Sequence, residues 1–495
     1  MTGFKFIRKK NTQVTPVSLR SCWILTEDDW DDYGFKTQFR LSYIDESGSS
    51  TTVGKVKILR RRYVEQVPEV AKTTILPDGF QELDADFISL GQDENYYKRL
   101  HELLHGKVGA FLEALSDIAW NPTLANEYEP TSGFRNSLLR MNAAQRSRRL
   151  GRAWATGQPV QENFSFSYNC LFGGADAPID VDISFDEDDP LPHRVVGIIG
   201  RNAVGKTRFL AQLSEDLVQL YRTSAEALQT RDKRFPGGRP LFTRVITISY
   251  SAFDRFKRPA ERSGSSYVYC GIRNESGNLS RKSLIDAYRK NQDRIRLHGR
   301  EHHWLEHMQN ILGDQSEALT SALQSEISSD DGEGPLSLLS SGQSILCHFI
   351  TALLAWIEPN SLILFDEPET HLHPNAVASL FSVLNRVLNK YESFAVLATH
   401  SPVVIQEIPA KRVLMFQREG NVTVSFPLNM ESFGESVAEL TKHVFETVEI
   451  ENPYKKTLRQ LSGDYDEDEV LDMFEQGLSL NAQAYLLAQY SKKRS

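Results

Sequence analysis

Four short stretches of this chain hold residue types that could act on a phosphate chain. The first, Gly200-Arg201-Asn202-Ala203-Val204-Gly205-Lys206-Thr207, fits GxxxxGK[ST]. Glycines let the backbone curl until its N–H groups face one point, and a helix opening there adds its positive end. Lys206 would reach the β and γ phosphates, and the Thr207 hydroxyl would ligate Mg2+. A plain βα turn with an incidental Lys-Thr fits the same pattern. Here an apolar run, Val195-Val196-Gly197-Ile198-Ile199, precedes the glycines and a helical pattern follows, which is the context a phosphate cradle requires.

The second stretch, Leu362-Ile363-Leu364-Phe365-Asp366-Glu367, is an apolar strand ending in two carboxylates. Asp366 could hold Mg2+ opposite Thr207, and Glu367 could orient or deprotonate an attacking water. Acidic turns at strand ends are common; this one lies 160 residues after Lys206 inside the same alternating pattern of strands and helices. The third, Leu339-Ser340-Ser341-Gly342-Gln343, opens an apolar helix over 344–357 and starts its Ser-Ser-Gly turn 26 residues before Asp366. Such a turn at a helix N-terminus is an anion site, although it is also a common linker. The fourth, Ala398-Thr399-His400-Ser401-Pro402, ends another apolar strand 33 residues past Glu367. His400 there could hydrogen-bond a γ-phosphate, whereas a lone histidine is more often structural. Lys206, Glu367 and His400 are the candidate catalytic groups.

These residues need a scaffold that brings strand ends together. Buried-strand runs at 194–200, 245–250, 362–365 and 394–398 alternate with helical patterns at 202–220, 344–357 and 375–389, which predicts an α/β core. Residues 413–426 read as a hairpin turning at Glu419-Gly420-Asn421. Residues 1–160 read as an α+β appendage: a small antiparallel sheet over 18–59, with turns at Asp31-Asp32-Tyr33-Gly34 and Asp45-Glu46-Ser47-Gly48, then a helix over 95–118. Arg-rich 143–161 reads as a helix end or linker. The expected division is 1–160, an ATPase core over 161–430 with a helical insertion near 255–325, and a helical tail over 431–495.

Composition narrows the class. Apolar residues make up 40% and charged residues 24%, as in an ordinary globular protein, which excludes a mostly disordered chain. With 56 Lys+Arg against 65 Asp+Glu the net charge is −9, so nucleic acid could be held only on a local basic stripe. The four cysteines form no CxxC pair, giving neither zinc spacing nor a disulfide framework. The N-terminus lacks the apolar segment of a signal peptide, and the longest apolar run, 345–357, is short of the roughly 20 residues that span a bilayer. A cytoplasmic protein without a membrane partner is the expectation.

Taken in order, GRNAVGKT, LSSGQ, LILFDE and ATHSP resemble the ABC-type ATPases. Pro368-Glu369-Thr370-His371-Leu372-His373-Pro374 is similar to the PExHLHP pattern of their OLD, RecF and SMC-like branch rather than to transporter cassettes. The resemblance covers about 162–430. It implies a mixed-sheet P-loop core, with ATP and Mg2+ as ligands. It also implies two cores facing head to tail, so that a homodimer is the minimum assembly. Gly200, Asn202, Gly205, Lys206 and Thr207 would bind nucleotide in one protomer, with Thr207 and Asp366 on the metal. Ser340, Gly342 and Gln343 would close the site from the other. One departure stands out: the Gln usual near the end of the strand 245–250 is absent, Ser249-Tyr250-Ser251 stands there, and the next glutamine is Gln292. Slow hydrolysis would follow.

The appendage, together with Ser249-Tyr250-Ser251-Ala252-Phe253-Asp254, resembles standalone ATPases of bacterial anti-phage systems such as Septu, PARIS and retron-associated modules. That resemblance implies a sensor or regulatory subunit controlling a separate effector, a nuclease or toxin. A DNA repair or recombination ATPase is the alternative, and a transporter cassette a third reading. Only 95 residues follow His400, too few for a Toprim nuclease, so no intrinsic nuclease is expected. Between Arg281 and Arg300 seven basic residues face two aspartates, a DNA contact or simply a solvated helix face. The acidic run 464–469 reads as a surface loop or helix N-terminus rather than a metal site.

Overall fold

Alternating burial builds the N-terminal sheet. The computed structural model describes residues 3–16, 18–64, 67–250, 256–258, 266–271, 281–312, 341–370, 372–444, 453–474 and 476–494. Strands β1 (Phe6–Lys9), β2 (Cys22–Glu27), β3 (Gln38–Ile44), β4 (Ser50–Val64), β5 (Val67–Val70), β6 (Gly79–Phe80) and β7 (Phe87–Gly91) form one sheet, in the order β5-β4-β3-β2-β1-β6 with β7 on β4. The expected antiparallel sheet is therefore larger, and β1 runs parallel to β2 because the 10–21 connection crosses over instead of turning back. The β3–β4 turn forms as its residues dictate: Asp45 accepts from the Ser49 N–H at 2.9 Å, and Gly48 takes φ +94°.

Helices close this lobe. The expected single helix over 95–118 is two, α1 (Glu94–Leu104) and α2 (Val108–Ala114), because His105 takes φ +46° and starts a 3-10 turn. The Arg-rich stretch read as a helix end or linker is a full helix, α3 (Asn142–Ala155), packed on α1. Its Arg146 is buried, paired with Glu162 and set over the Trp154 ring, so this one charge faces inward rather than solvent.

The core sheet holds the chemistry. After the two-stranded β8 (Phe166–Cys170) and β9 (Ile179–Ile183) come β10 (Val195–Ile199), β11 (Val245–Ser249), β12 (Tyr267–Gly271), β13 (Leu362–Asp366), β14 (Phe394–Thr399), β15 (Val413–Glu419) and β16 (Val422–Pro427). Their order is β12-β11-β13-β14-β10-β15-β16, all parallel except the β15–β16 hairpin. Every residue of β10, β11, β13 and β14 is buried, which is why these strands read as unbroken apolar runs. This is the mixed α/β P-loop sheet expected from the sequence. Helix α4 (Lys206–Leu217) follows β10 and packs on β11, β13 and β14. Helix α5 (Ala225–Asp232) is short and surface-lying.

Two helices of the insertion support a third. Both α6 (Arg281–Leu297) and α7 (Glu301–Leu312) pack on α8 (Ser341–Trp356). Arg294 donates to the Ala355 carbonyl at 2.7 Å and stacks on Trp356, while Arg300 donates to Leu354 and Ile357. These are the orphan carbonyls of the α8 C-terminus, so two of the seven basic residues between 281 and 300 act as helix caps. Helices α9 (Pro374–Lys390) and α10 (Pro402–Ile405) complete the core.

The P-loop helix is held at its far end by the N-terminal lobe. Asn142 donates to the carbonyls of Leu217 and Phe242, and Tyr33 donates to Leu220. Residues 1–435 accordingly form one compact unit, with an apolar cluster between 6 and 155 and a second between 164 and 416.

Residues 436–495 form a second unit. Its helices α11 (Val437–Val444), α12 (Pro453–Asp464), α13 (Glu467–Asp472) and α14 (Leu480–Arg494) include a small core of Leu458, Val470, Ala482 and Leu486. The acidic run opens α13: Asp466 and Glu469 exchange side chain and backbone in a capping box. Among the described residues, no helix is long and apolar enough to cross a membrane.

Candidate nucleotide site

Parallel strands deliver their C-terminal ends to one edge, where α/β sheets bind ligands. Register places Ile199 beside Thr399, Ala398 beside Asp366, and Asp366 beside Ser249. Four of the sequence-predicted stretches or their neighbours therefore converge: the 200–207 loop, Ser249 at the end of β11, Asp366-Glu367 and Thr399-His400.

The loop has the shape a phosphate needs. A Cβ on Gly200, at φ +152°, would lie 2.4 Å from the Phe416 carbonyl oxygen, and Gly205 takes φ +107° against the Phe172 ring. No side chain caps the first N–H groups of α4, leaving them for an anion. Asn202 lies exposed near the loop tip. The Lys206 Nζ curls back on its own loop, 2.7 Å from the Gly200 carbonyl. Burial holds its ammonium below the usual lysine range, while Glu367, Asp366 and Glu369 pull it back up. The β15–β16 hairpin braces the outside: Thr423 donates to the Val204 carbonyl at 3.0 Å.

Thr207 Oγ1 lies 3.0 Å from both oxygens of Asp366, whose side chain is buried. A hydroxyl and a carboxylate facing each other beside a phosphate cradle form a hard-oxygen donor set suited to Mg2+. Glu367 follows with φ +49°, a left-handed backbone that is costly for a non-glycine and typical of functional turns. Its carboxyl is held below the usual range, chiefly by His400. Reciprocally, the Glu367 carboxylate raises the His400 imidazole, with burial opposing and Glu369 adding to the rise. His400 Nδ1 lies 3.7 Å from Glu367 and 3.1 Å from Glu369.

The structure thus brings Gly200, Gly205, Lys206, Thr207, Asp366, Glu367 and His400 together. Gly342 and Gln343 occupy the first turn of α8, a separate element, and Ser340 lies outside the described residues. Gln292 is not a substitute for the missing glutamine, because it is buried on α6 and donates to the Tyr288 hydroxyl. Ser249 occupies that strand end instead, paired in register with Asp366. Sequence reasoning quoted Glu369 only as part of a pattern and assigned it no role. Its signal was a carboxylate two residues past Glu367, facing the end of the neighbouring strand.

Comparison with known proteins adds a partial family match. Residues 242–406 match a family profile described as "AAA domain, putative AbiEii toxin, Type IV TA system", a span that begins after the 200–207 loop and ends just past His400. Protein ea59 of Escherichia phage lambda is 29% identical over 455 residues, covering 85% of each chain. Among solved structures, the SMC head domain from Thermotoga maritima is 13% identical, matching 54% of this chain and 100% of that one at a TM-score of 0.30. The cbiO1 component of an ABC transporter complex from Clostridium perfringens is 12% identical, matching 63% of this chain and 100% of that one at 0.27. Scores that low leave the fold resting on the strand order above. The phosphate cradle, the Thr207–Asp366 pair and the matched AAA segment therefore lie on one sheet edge, the arrangement of a P-loop nucleotide site.

Proposed function

We propose that the chain is an ABC-type ATPase that dimerises around ATP and serves as the regulatory subunit for a separate effector in anti-phage defence. The observation that supports ATP chemistry best is the row Thr207, Asp366, Glu367 and His400 at the C-terminal ends of β13 and β14 and the start of α4. Mg2+ bound by Thr207 and Asp366 would supply positive charge at the phosphates. Glu367, ionised at neutral pH, orients and deprotonates the attacking water. Lys206 neutralises the transferred phosphate, and His400 donates to it. Ser340, Gly342 and Gln343 of a second copy complete the site in trans.

The effector half of this reading draws on the toxin and toxin–antitoxin wording attached to the matched family. A relative encoded by a phage fits a protein acting in contests between phages and their hosts. Cytoplasmic action follows from the same reading. The alternative, direct DNA handling, loses two of its candidate contacts, since Arg294 and Arg300 cap α8.

One experiment tests both halves: tagged full-length chain purified from its native genomic setting, with co-purifying proteins identified and ATP turnover measured with and without duplex DNA. A stoichiometric nuclease or toxin, with turnover indifferent to DNA, is expected. Turnover stimulated by DNA with no protein partner overturns the effector reading in favour of repair.

A further inference from the structure

Glu369 is bound into the site more firmly than its place in the sequence suggests. Its Oε1 accepts from the Thr399 hydroxyl at 2.8 Å and from the His400 backbone N–H at 2.8 Å, and lies 3.1 Å from His400 Nδ1. The side chain is only 10% exposed, and Oε2 has no hydrogen-bond partner. Buried polar atoms left without a partner are rare, and they concentrate where function overrides packing. Glu367, by contrast, sits 3.7 Å from the same ring nitrogen, outside hydrogen-bond range.

Two hydrogen bonds and one ion-pair contact converging on a single oxygen fix two things at once. The Thr399 and backbone bonds set the turn that leaves β14. The Nδ1 contact sets the ring, since a ring that donates from Nδ1 to a carboxylate leaves Nε2 as the atom that faces elsewhere. Carboxylates that hold the far nitrogen of a working histidine orient it and fix its tautomer. We propose that Glu369 is a positioning residue that holds the His400 ring by its Nδ1–H, so that the Nε2–H of the protonated ring is the donor presented to the terminal phosphate. The proposal rests on the P-loop ATPase reading and deepens it. The charged groups that act most strongly on the ring are Glu367, Glu369 and Lys206.

The test uses the full chain and two variants. Glu369→Gln keeps a carbonyl acceptor for Thr399 and the backbone but removes the charge at Nδ1. Its melting temperature and ATP affinity should match the wild type, while turnover falls roughly 10–100-fold, the usual cost of losing an orienting carboxylate. The His400 ring, assigned with His400→Gln and followed by NMR in histidine-labelled protein, should titrate at lower pH and change tautomer. Glu369→Ala should lose stability as well, because the turn loses its anchor. A Glu369→Gln chain whose His400 titrates and tautomerises as in the wild type overturns the proposal, whatever its turnover. If the wild type hydrolyses no ATP, the ATPase reading falls, and the NMR arm still decides the role of Glu369.

Discussion

The Thr207 hydroxyl sits 3.0 Å from both oxygens of Asp366, joining residues 159 positions apart in the chain. Neither has an independent reason to be there: one opens α4 and the other closes β13. Asp366→Asn should therefore weaken Mg2+-dependent nucleotide binding by roughly 10–100-fold or more, while metal-free binding through Lys206 and the loop persists. Titration of a fluorescent ATP analogue with and without Mg2+ reads the difference. Unchanged metal dependence would remove Asp366 from the metal.

Glu367 carries two separable properties, a carboxylate and a strained backbone at φ +49°. Glu367→Gln should bind ATP, lose roughly 100- to 10,000-fold in turnover and accumulate a dimer on light scattering. Glu367→Gly should lose turnover equally yet gain about 1 kcal/mol of stability, because glycine enters this backbone region without penalty. A glycine variant less stable than the glutamine variant would mean the backbone there is unstrained.

The site was legible where chemistry dictates residue type. A phosphate cradle needs glycines, a lysine and a hydroxyl at fixed spacing, and buried parallel strands need unbroken apolar runs, so 200–207 and 362–367 could be read directly. The misreadings share one cause: a charge in the sequence does not say which way it faces. The arginines of α3 made it read as a helix end or linker, but Glu162 turns Arg146 inward. Arg294 and Arg300 read as a DNA contact or a solvated helix face, but they satisfy the end of a helix about sixty residues away in the chain. Glu369 escaped notice because its role depends on which strand end lies opposite, and that is a matter of sheet order.

The coupling of Glu367 and His400 sets a pH window. The histidine is raised by its carboxylate neighbour, so that contribution is complete below its unfolded value near 6.5 and is lost as pH rises through the folded value. Glu367 is depressed, so its contribution is present above about 4.5 and is lost as pH falls through the folded value. Turnover should decline as pH rises through the folded value of His400 and the ring loses its proton. Glu367→Gln should move that histidine's titration to lower pH. A His400 titration unaffected by the substitution would mean the two groups are independent.

The N-terminal lobe caps the P-loop helix, which ties an element with no assigned role to the nucleotide site. Asn142 is buried and donates to two carbonyls, Leu217 and Phe242. Asn142→Ala should cost about 2 kcal/mol in chemical denaturation, the penalty of leaving buried acceptors unmade. Removing residues 1–160 should leave the core insoluble or unfolded rather than a free ATPase. A truncated chain that melts cooperatively and binds ATP like the whole protein would make the lobe a detachable module.

Composite sites make a prediction that single mutants cannot. Lys206→Ala removes the phosphate contact made in cis, and Ser340→Arg blocks the contact made in trans, so either homodimer has two dead sites. A mixed dimer pairs the intact loop of one protomer with the intact Ser340 of the other and regains one site. With random pairing, about a quarter of wild-type turnover should return on mixing the two inactive proteins. Mixed dimers shown to form by differential tagging, yet without activity, would mean that each copy works alone. The head-to-tail arrangement would then have to be given up, even with every residue of the cis cluster in place.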